Sequence, residues 1–141
     1  MVSAPLASTF VALALIPVAF FFTHAFLSGR RGWRYHTISG TVAVAWDLSL
    51  SIFYMLYRTF GGQTDGSILT ITPSMTSYFA VHGVISVIVM VLEIMMLITG
   101  YLMWKTKKPS GLHRSLTIPM IVLWFLAFLS GEIVYIVYYV L

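Results

Sequence analysis

Four long apolar runs account for most of this chain and limit what it can fold into. They cover residues 6–28, 36–57, 77–104 and 115–141, and polar segments separate them. A helix needs about 20 mostly apolar residues to cross the hydrocarbon core of a bilayer. Only 9% of the 141 residues are charged, whereas about a quarter are charged in soluble domains. The sequence therefore predicts an integral membrane protein with four transmembrane helices.

Lysine and arginine are distributed unevenly among the segments that connect these runs. Seven of the eight lie within residues 29–35 and 105–114, and only Arg58 lies at the second connection. Cytoplasmic loops of membrane proteins are enriched in Lys and Arg, so both basic connections are predicted to be cytoplasmic and both termini to lie outside. The predicted fold is all-α, a single domain over residues 1–141 that forms an up-down four-helix bundle. The basic residues indicate topology and do not suggest nucleic acid as a partner.

Several classes of chemistry are excluded by what the sequence lacks. The chain has no cysteine, so disulfides, thiolate metal sites and iron–sulfur clusters cannot form. The sequence also contains no phosphate-binding loop, no nucleophile elbow and no HExxH motif. We therefore expect no catalytic activity of the chain's own.

Three of the four acidic residues lie inside the apolar runs: Asp47, Glu93 and Glu132. Charged groups at membrane depth cost several kcal/mol and usually face a partner or have a function. A rise of about 1.5 Å per residue places Asp47 and Glu93 at one depth, roughly 16 Å from the cytoplasmic ends of their helices. Glu132, Tyr54 and Tyr135 fall in the outer half. All five are predicted to be buried polar groups.

The pair formed by Asp47 and Glu93 has three interpretations from the sequence. Two carboxyl groups in a low-dielectric interior do not readily ionise together, so they could share a proton. They could bind a cation. They could also form hydrogen bonds with other helices or with a neighbouring subunit, since polar groups often mediate helix association in membranes.

The histidines suggest a haem site at the cytoplasmic side. A b-type haem needs two imidazoles at one depth on facing helices, and His24, His36 and His113 lie at compatible depths. The alternative is that His36 and His113, beside Arg34 and Arg114, are anchors at the level of the lipid headgroups. On the outer side, His82 and Glu132 with nearby tyrosines are weak candidates for a metal or quinol site.

Several short motifs within residues 30–141 resemble a known membrane protein family. They are the basic loop before His36, the residues Tyr54 and Arg58, the Tyr-Phe-Ala-Val-His of 78–82, the Lys-Lys of 107–108, the His-Arg-Ser-Leu-Thr-Ile-Pro of 113–119, the Trp-Phe of 124–125 and the Ser-Gly-Glu-Ile-Val-Tyr of 130–135. Together they resemble the YozB/CtaM-like group of small four-helix membrane proteins, also called domain of unknown function 420. The first helix is similar only in hydropathy.

The resemblance implies a multi-pass protein of the plasma membrane of a bacterium or archaeon. Some members are linked to maturation of haem-A cytochrome oxidase, with a role in haem handling or enzyme assembly. His36, His82 and His113 would be polar positions shared with the family. The intramembrane acids depart from its pattern, which suggests a specialised relative whose buried faces need polar partners.

From these observations we expect a small accessory protein, either a subunit or an assembly factor, of a respiratory-type membrane metalloenzyme such as a haem-copper oxidase. Its partners would be the lipid bilayer and other integral membrane subunits. One alternative is a membrane electron carrier that binds haem b or reacts with quinol. Another is a small proton-coupled transporter subunit.

Overall fold

The computed structural model of the chain describes residues 4–61 and 71–140. Its four long helices are α1 (Leu6–Arg30), α2 (Tyr35–Thr59), α3 (Pro73–Thr106) and α4 (Gly111–Tyr135), and a π-helical segment over Ile136–Val140 continues α4. All four are long and apolar enough to cross a membrane. The predicted all-α fold with four membrane-spanning helices is confirmed.

Two helices begin four residues earlier than their apolar runs. Thr72 caps α3, where its Oγ1 accepts a hydrogen bond from the backbone N–H of Met75 at 3.3 Å, and proline follows at the first helical position. Ser110 caps α4 in the same way, accepting from the N–H of His113 at 3.2 Å. Hydropathy locates only the lipid-embedded part of a helix, whereas capping side chains extend it into the polar interface.

The helices form a ring in which sequence neighbours pack side by side. The helix α1 packs against α2 and α4, and α3 also packs against α2 and α4. Residues 31–34 connect α1 to α2, and residues 107–110 connect α3 to α4. We call the end of the bundle that carries these two turns the basic end, and the opposite end the far end. Which end faces the cytoplasm remains a prediction from the charge pattern.

The core of the bundle is narrow and apolar. It is made of Val18, Phe22, Ala43, Val44, Val89, Met96, Met120 and Trp124. Most other large apolar side chains point outward, as expected where lipid and not water surrounds the protein. Small residues on α1, including Ala12, Ala25 and Ser28, are buried. They allow close approach of helices, which is the usual basis of packing between transmembrane helices.

Candidate functional site

A buried pair of carboxyl groups lies at the middle of the bundle. Asp47 on α2 is 5% exposed and Glu93 on α3 is fully buried. The two side chains interact directly with each other. The sequence placed both at one depth, and the structure brings them together inside a single chain. We call Asp47 and Glu93 the acid pair.

The two members of the acid pair have different surroundings. The Asp47 carboxyl group also interacts with the indole of Trp124 on α4 and with the hydroxyl of Ser51 one turn along α2. In contrast, no donor from any other described residue reaches Oε1 or Oε2 of Glu93. Two ionised carboxylates have no hydrogen to share, so a hydrogen bond within the pair requires a proton on one of them.

Buried aromatic rings pack around Trp124, the residue on α4 that interacts with Asp47. Phe22 on α1 and Trp124 on α4 are each 2% exposed, and their ring centres are 4.6 Å apart. Trp124 also stacks on Phe128 at 5.2 Å. All four helices therefore contribute a side chain to this central layer. Such packing excludes water, which makes an unpaired polar group here costly.

At the basic end, the ring of His36 is held in one orientation by α1. Its Nδ1 lies 2.7 Å from the backbone carbonyl oxygen of Ala25. A carbonyl only accepts, so Nδ1 carries the hydrogen and Nε2 is left free. The ring packs directly on Gly29, where an added Cβ would lie 2.7 Å from Nδ1. Only glycine leaves room for the ring at this point.

His113 at the start of α4 has an equivalent arrangement. Its Nδ1 lies 2.8 Å from Oγ1 of Thr99 on α3. That hydroxyl has a closer acceptor in the carbonyl of Met95 at 2.7 Å, so both bonds are satisfied together when Nδ1 of His113 is the donor. The carbonyl of Met96, to which Thr99 is also bonded, faces the same ring. The free nitrogen of His113 is again Nε2.

The rings of His36 and His113 face each other across the bundle. Their centres are 6.1 Å apart and their planes are nearly perpendicular, at 84°. Two imidazoles on opposite sides of one metal, each bonded at about 2.0–2.1 Å, would place their centres roughly 6.3 Å apart. Tetrahedral coordination would place them at only about 5 Å. The observed separation of the ring centres, in an edge-to-face contact, is close to the first of these two values. We call these two residues the histidine pair.

The histidine pair offers two nitrogen ligands, fewer than a bare metal ion needs. Histidines that bind metals usually donate their second ring nitrogen to a protein acceptor, as both rings do here. The described residues contain no group of three or more His, Cys, Asp or Glu side chains placed to hold a metal ion. A bare ion needs about four ligands, whereas haem iron needs only two axial ones from the protein.

The structure does not place His24 with the histidine pair. Its side chain is exposed on α1 and lines an outward-facing groove with Phe21, Tyr35 and Ile38. His24 has the predicted depth but points away from the bundle axis. Depth in the membrane follows from counting residues, whereas the face a residue presents depends on how the helices pack.

A third half-buried histidine, His82, lies near the far end of α3. Its Nδ1 lies 2.8 Å from Oγ of Ser130, which itself donates to the carbonyl of Ala127 at 2.9 Å. Its Cε1 would be 3.2 Å from a Cβ at Gly131. Nearby, the hydroxyl of Tyr78 donates to the carbonyl of Ser130 at 2.9 Å. These contacts join α3 to α4.

The weak metal candidate formed by His82 and Glu132 is not assembled. Glu132 lies two residues beyond Ser130, about 200° around the helix, and is half-buried on another face. The side chains of His82 and Glu132 do not interact with each other. No other His, Cys, Asp or Glu from residues 4–61 and 71–140 completes a metal site with them.

Two tyrosines tie the far end of the bundle to α1. The hydroxyl of Tyr54 lies 3.0 Å from Oγ of Ser8, and the hydroxyl of Tyr135 donates to Oγ1 of Thr9 at 3.0 Å. The sequence predicted both tyrosines as buried polar groups but missed their partners. Two adjacent hydroxyl residues near the start of an otherwise apolar helix were the available signal.

Residues 62–70, between α2 and α3, lie outside the described part of the chain. Comparisons with models of known families, with curated proteins and with solved structures find no match for this chain.

Proposed function

We propose that this protein is a small b-type haem-binding membrane protein that serves a respiratory-type metalloenzyme complex. His36 and His113 would be the axial ligands. The observation that carries the proposal is the 6.1 Å separation of their ring centres, with the Nδ1 atom of each ring near a protein acceptor. The protein residues fix both rings, and the haem, when bound, would supply one-electron redox chemistry or be the cargo itself.

The charge of the basic end supports haem as the ligand. Haem carries two propionate groups, which are anionic at neutral pH. The seven Lys and Arg residues of the two basic connections lie at this end; they are Arg30, Arg31, Arg34, Lys105, Lys107, Lys108 and Arg114. Arginine in particular binds carboxylates through paired hydrogen bonds. Haem held by the histidine pair would therefore have its propionates among cations.

The position of the histidine pair favours haem handling over a permanently enclosed cofactor. Both rings are half-buried at the end of the bundle, so the site is open to the membrane interface. This agrees with the accessory role implied by the resemblance to the YozB/CtaM-like group, in which the protein would bring haem to a partner such as a haem-copper oxidase. Other integral membrane subunits and the plasma membrane of a bacterium or archaeon are part of the same proposal.

The acid pair bears on how such a partner would be recognised. The sequence left open that Asp47 and Glu93 face a neighbouring subunit. In the structure they face each other within one bundle, so no second chain is required to shield them. A partner complex would contact the outer faces of the helices or the basic end.

The proposal is tested on the full chain purified in mild detergent. The wild-type protein should bind one haem per chain, measured by the visible spectrum and by the haem content of the denatured protein. His36→Ala and His113→Ala should each lose the low-spin spectrum. Added imidazole should restore it in part, since it can occupy the space left by the ring.

His24→Ala is the matched control, because it removes a histidine at the same depth that does not belong to the histidine pair. It should keep the full spectrum. A protein that folds and gives the helical signal of the wild type, yet takes up no haem at equimolar concentration, would remove the proposal. So would equal loss of the spectrum in His24→Ala and His113→Ala.

A further inference from the structure

Glu93 is a buried side chain whose hydrogen bonding is incomplete without an added proton. It is fully buried, and neither carboxyl oxygen is reached by a donor from another described residue. An unsatisfied buried carboxylate is among the costliest groups in a protein interior. Among residues 4–61 and 71–140, the carboxyl group of Asp47 is the one side chain that interacts with it.

The partners of Asp47 distinguish the two members of the acid pair. The N–H of Trp124 and the O–H of Ser51 are both groups that can donate to the Asp47 carboxyl group. Hydrogen bonds from donors favour the ionised form of a carboxyl group. Glu93 has no such donors among the described residues, so the proton that a hydrogen bond within the pair requires is better placed on Glu93 than on Asp47.

We propose that Glu93 is a proton-binding residue at the centre of the bundle, and that the proton it holds is donated in a hydrogen bond to Asp47. Uptake of one proton converts the Glu93 carboxylate into a carboxylic acid, and the charge of the acid pair changes from −2 to −1. The site would serve proton-coupled chemistry, which the haem site alone does not provide.

A metal cation is a poorer occupant of this site. Ca²⁺ takes six to eight oxygen ligands, whereas the acid pair and Ser51 together offer five side-chain oxygens. The indole N–H of Trp124 also donates a hydrogen bond to the Asp47 carboxyl group. A donor in that position stabilises negative charge on the oxygen and competes with a cation.

No basic side chain supplies the missing compensation. In this layer, α2 and α3 contribute the acid pair, whose members are its titratable groups. The helices α4 and α1 contribute the rings of Trp124 and Phe22, which carry no charge. None of the lysines, arginines or histidines in the described residues is an interaction partner of either carboxyl group. A proton is therefore the charge-compensating ligand that the surroundings accommodate.

Three hydroxyl groups lie between the level of the acid pair and the far end. Ser51 interacts with Asp47, Tyr54 lies one turn farther along α2, and its hydroxyl is 3.0 Å from Oγ of Ser8. We call Ser51, Tyr54 and Ser8 the hydroxyl track. Such groups can both accept and donate a hydrogen, so they can pass a proton to a buried acid. The proton of Glu93 would exchange with water at the far end.

Infrared spectroscopy of the purified full chain tests the proton site. A protonated carboxyl group gives a carbonyl stretching band that ionised carboxylates lack, and the band shifts in D₂O. The wild type should show this band, and Glu93→Gln should lose it. Asp47→Asn should keep it at a shifted frequency, because the amide oxygen of asparagine still accepts the hydrogen. Glu132→Gln, the matched control for an intramembrane acid outside the pair, should leave the Glu93 band unchanged.

Exchange rates test the route. Ser51→Ala should slow the deuterium shift of the Glu93 band severalfold, whereas Ser49→Ala should not, because Ser49 is exposed on the opposite face of α2. Equal rates in both variants would overturn the hydroxyl track. A wild-type spectrum in which Glu93→Gln removes no protonated carboxyl band would overturn the proton site itself. Both tests can be read without haem, so failure of the haem proposal is distinguishable from failure of this one.

Discussion

The acid pair predicts strong energetic coupling between two helices. Glu93→Leu removes one of the three side chains that interact with the Asp47 carboxyl group, and Asp47→Leu strands Glu93 and also removes the acceptor of Trp124. Leaving a buried polar group unsatisfied costs about 1–3 kcal/mol. Replacing both members by apolar side chains removes the problem and can be nearly neutral. The double variant should therefore be destabilised less than the sum of the two single variants.

The size of the coupling follows from burial and contact. Both side chains are almost fully buried and interact directly, so we expect a coupling of about 1–3 kcal/mol, within the range of about 0.5–3 kcal/mol found for residues in contact. The assay is a double-mutant cycle on the free energy of unfolding in detergent. Asp47→Leu combined with Glu132→Leu is the control pair and should be additive. Strict additivity of Asp47→Leu and Glu93→Leu would refute the contact within one chain.

Two further predictions test the histidine pair and the topology. Gly29→Ala should displace the ring of His36, since the added Cβ would lie 2.7 Å from Nδ1. It should destabilise the protein by about 1–3 kcal/mol and lower its affinity for haem. Gly83→Ala, where nothing lies within 4 Å of the added Cβ, should change neither stability nor haem affinity. A protein that keeps its stability and haem affinity with Gly29→Ala would contradict the described packing. Single cysteines at Ser110 and Gly66 should label from opposite sides of the membrane, with Gly66 outside, and labelling from one side would defeat the four-span topology.

The fold was predictable because apolar run length and loop charge are strong signals in membrane proteins. All four helices were predicted in the right places. The starts of α3 and α4 were less well predicted, because Thr72 and Ser110 lie in polar segments that hydropathy does not distinguish from loops. The local capping pattern of Ser or Thr before a helix could have identified both.

Sites were predictable only as far as depth and helical periodicity allow. Counting residues placed Asp47 level with Glu93, and the structure brings them together. The same counting placed His24 level with His36, yet their side chains point in different directions. The contact of Trp124 with Asp47 and the hydroxyls of Ser8 and Thr9 were missed, because contacts between helices distant in sequence depend on how each helix is rotated about its axis.

The glycines beside the histidines show a signal that sequence reasoning can use. Gly29, Gly100 and Gly131 each pack on a histidine ring from another helix, those of His36, His113 and His82 respectively. Glycine inside a helix weakens it by about 1 kcal/mol relative to alanine, so a helical glycine needs a reason. Here the reason is space for a ring, and the pairing of glycines with histidines could not be assigned before the helices were packed.

The most direct test of the account is the electron paramagnetic resonance spectrum of the purified protein loaded with ferric haem. Two imidazoles on one iron give a low-spin signal, and ring planes close to perpendicular, as the 84° between His36 and His113 requires, make that signal highly anisotropic. We predict this spectrum for the wild type and its conversion to a high-spin signal in His113→Ala. A high-spin signal in the wild type, or a low-spin signal that survives His113→Ala, would contradict ligation by this pair.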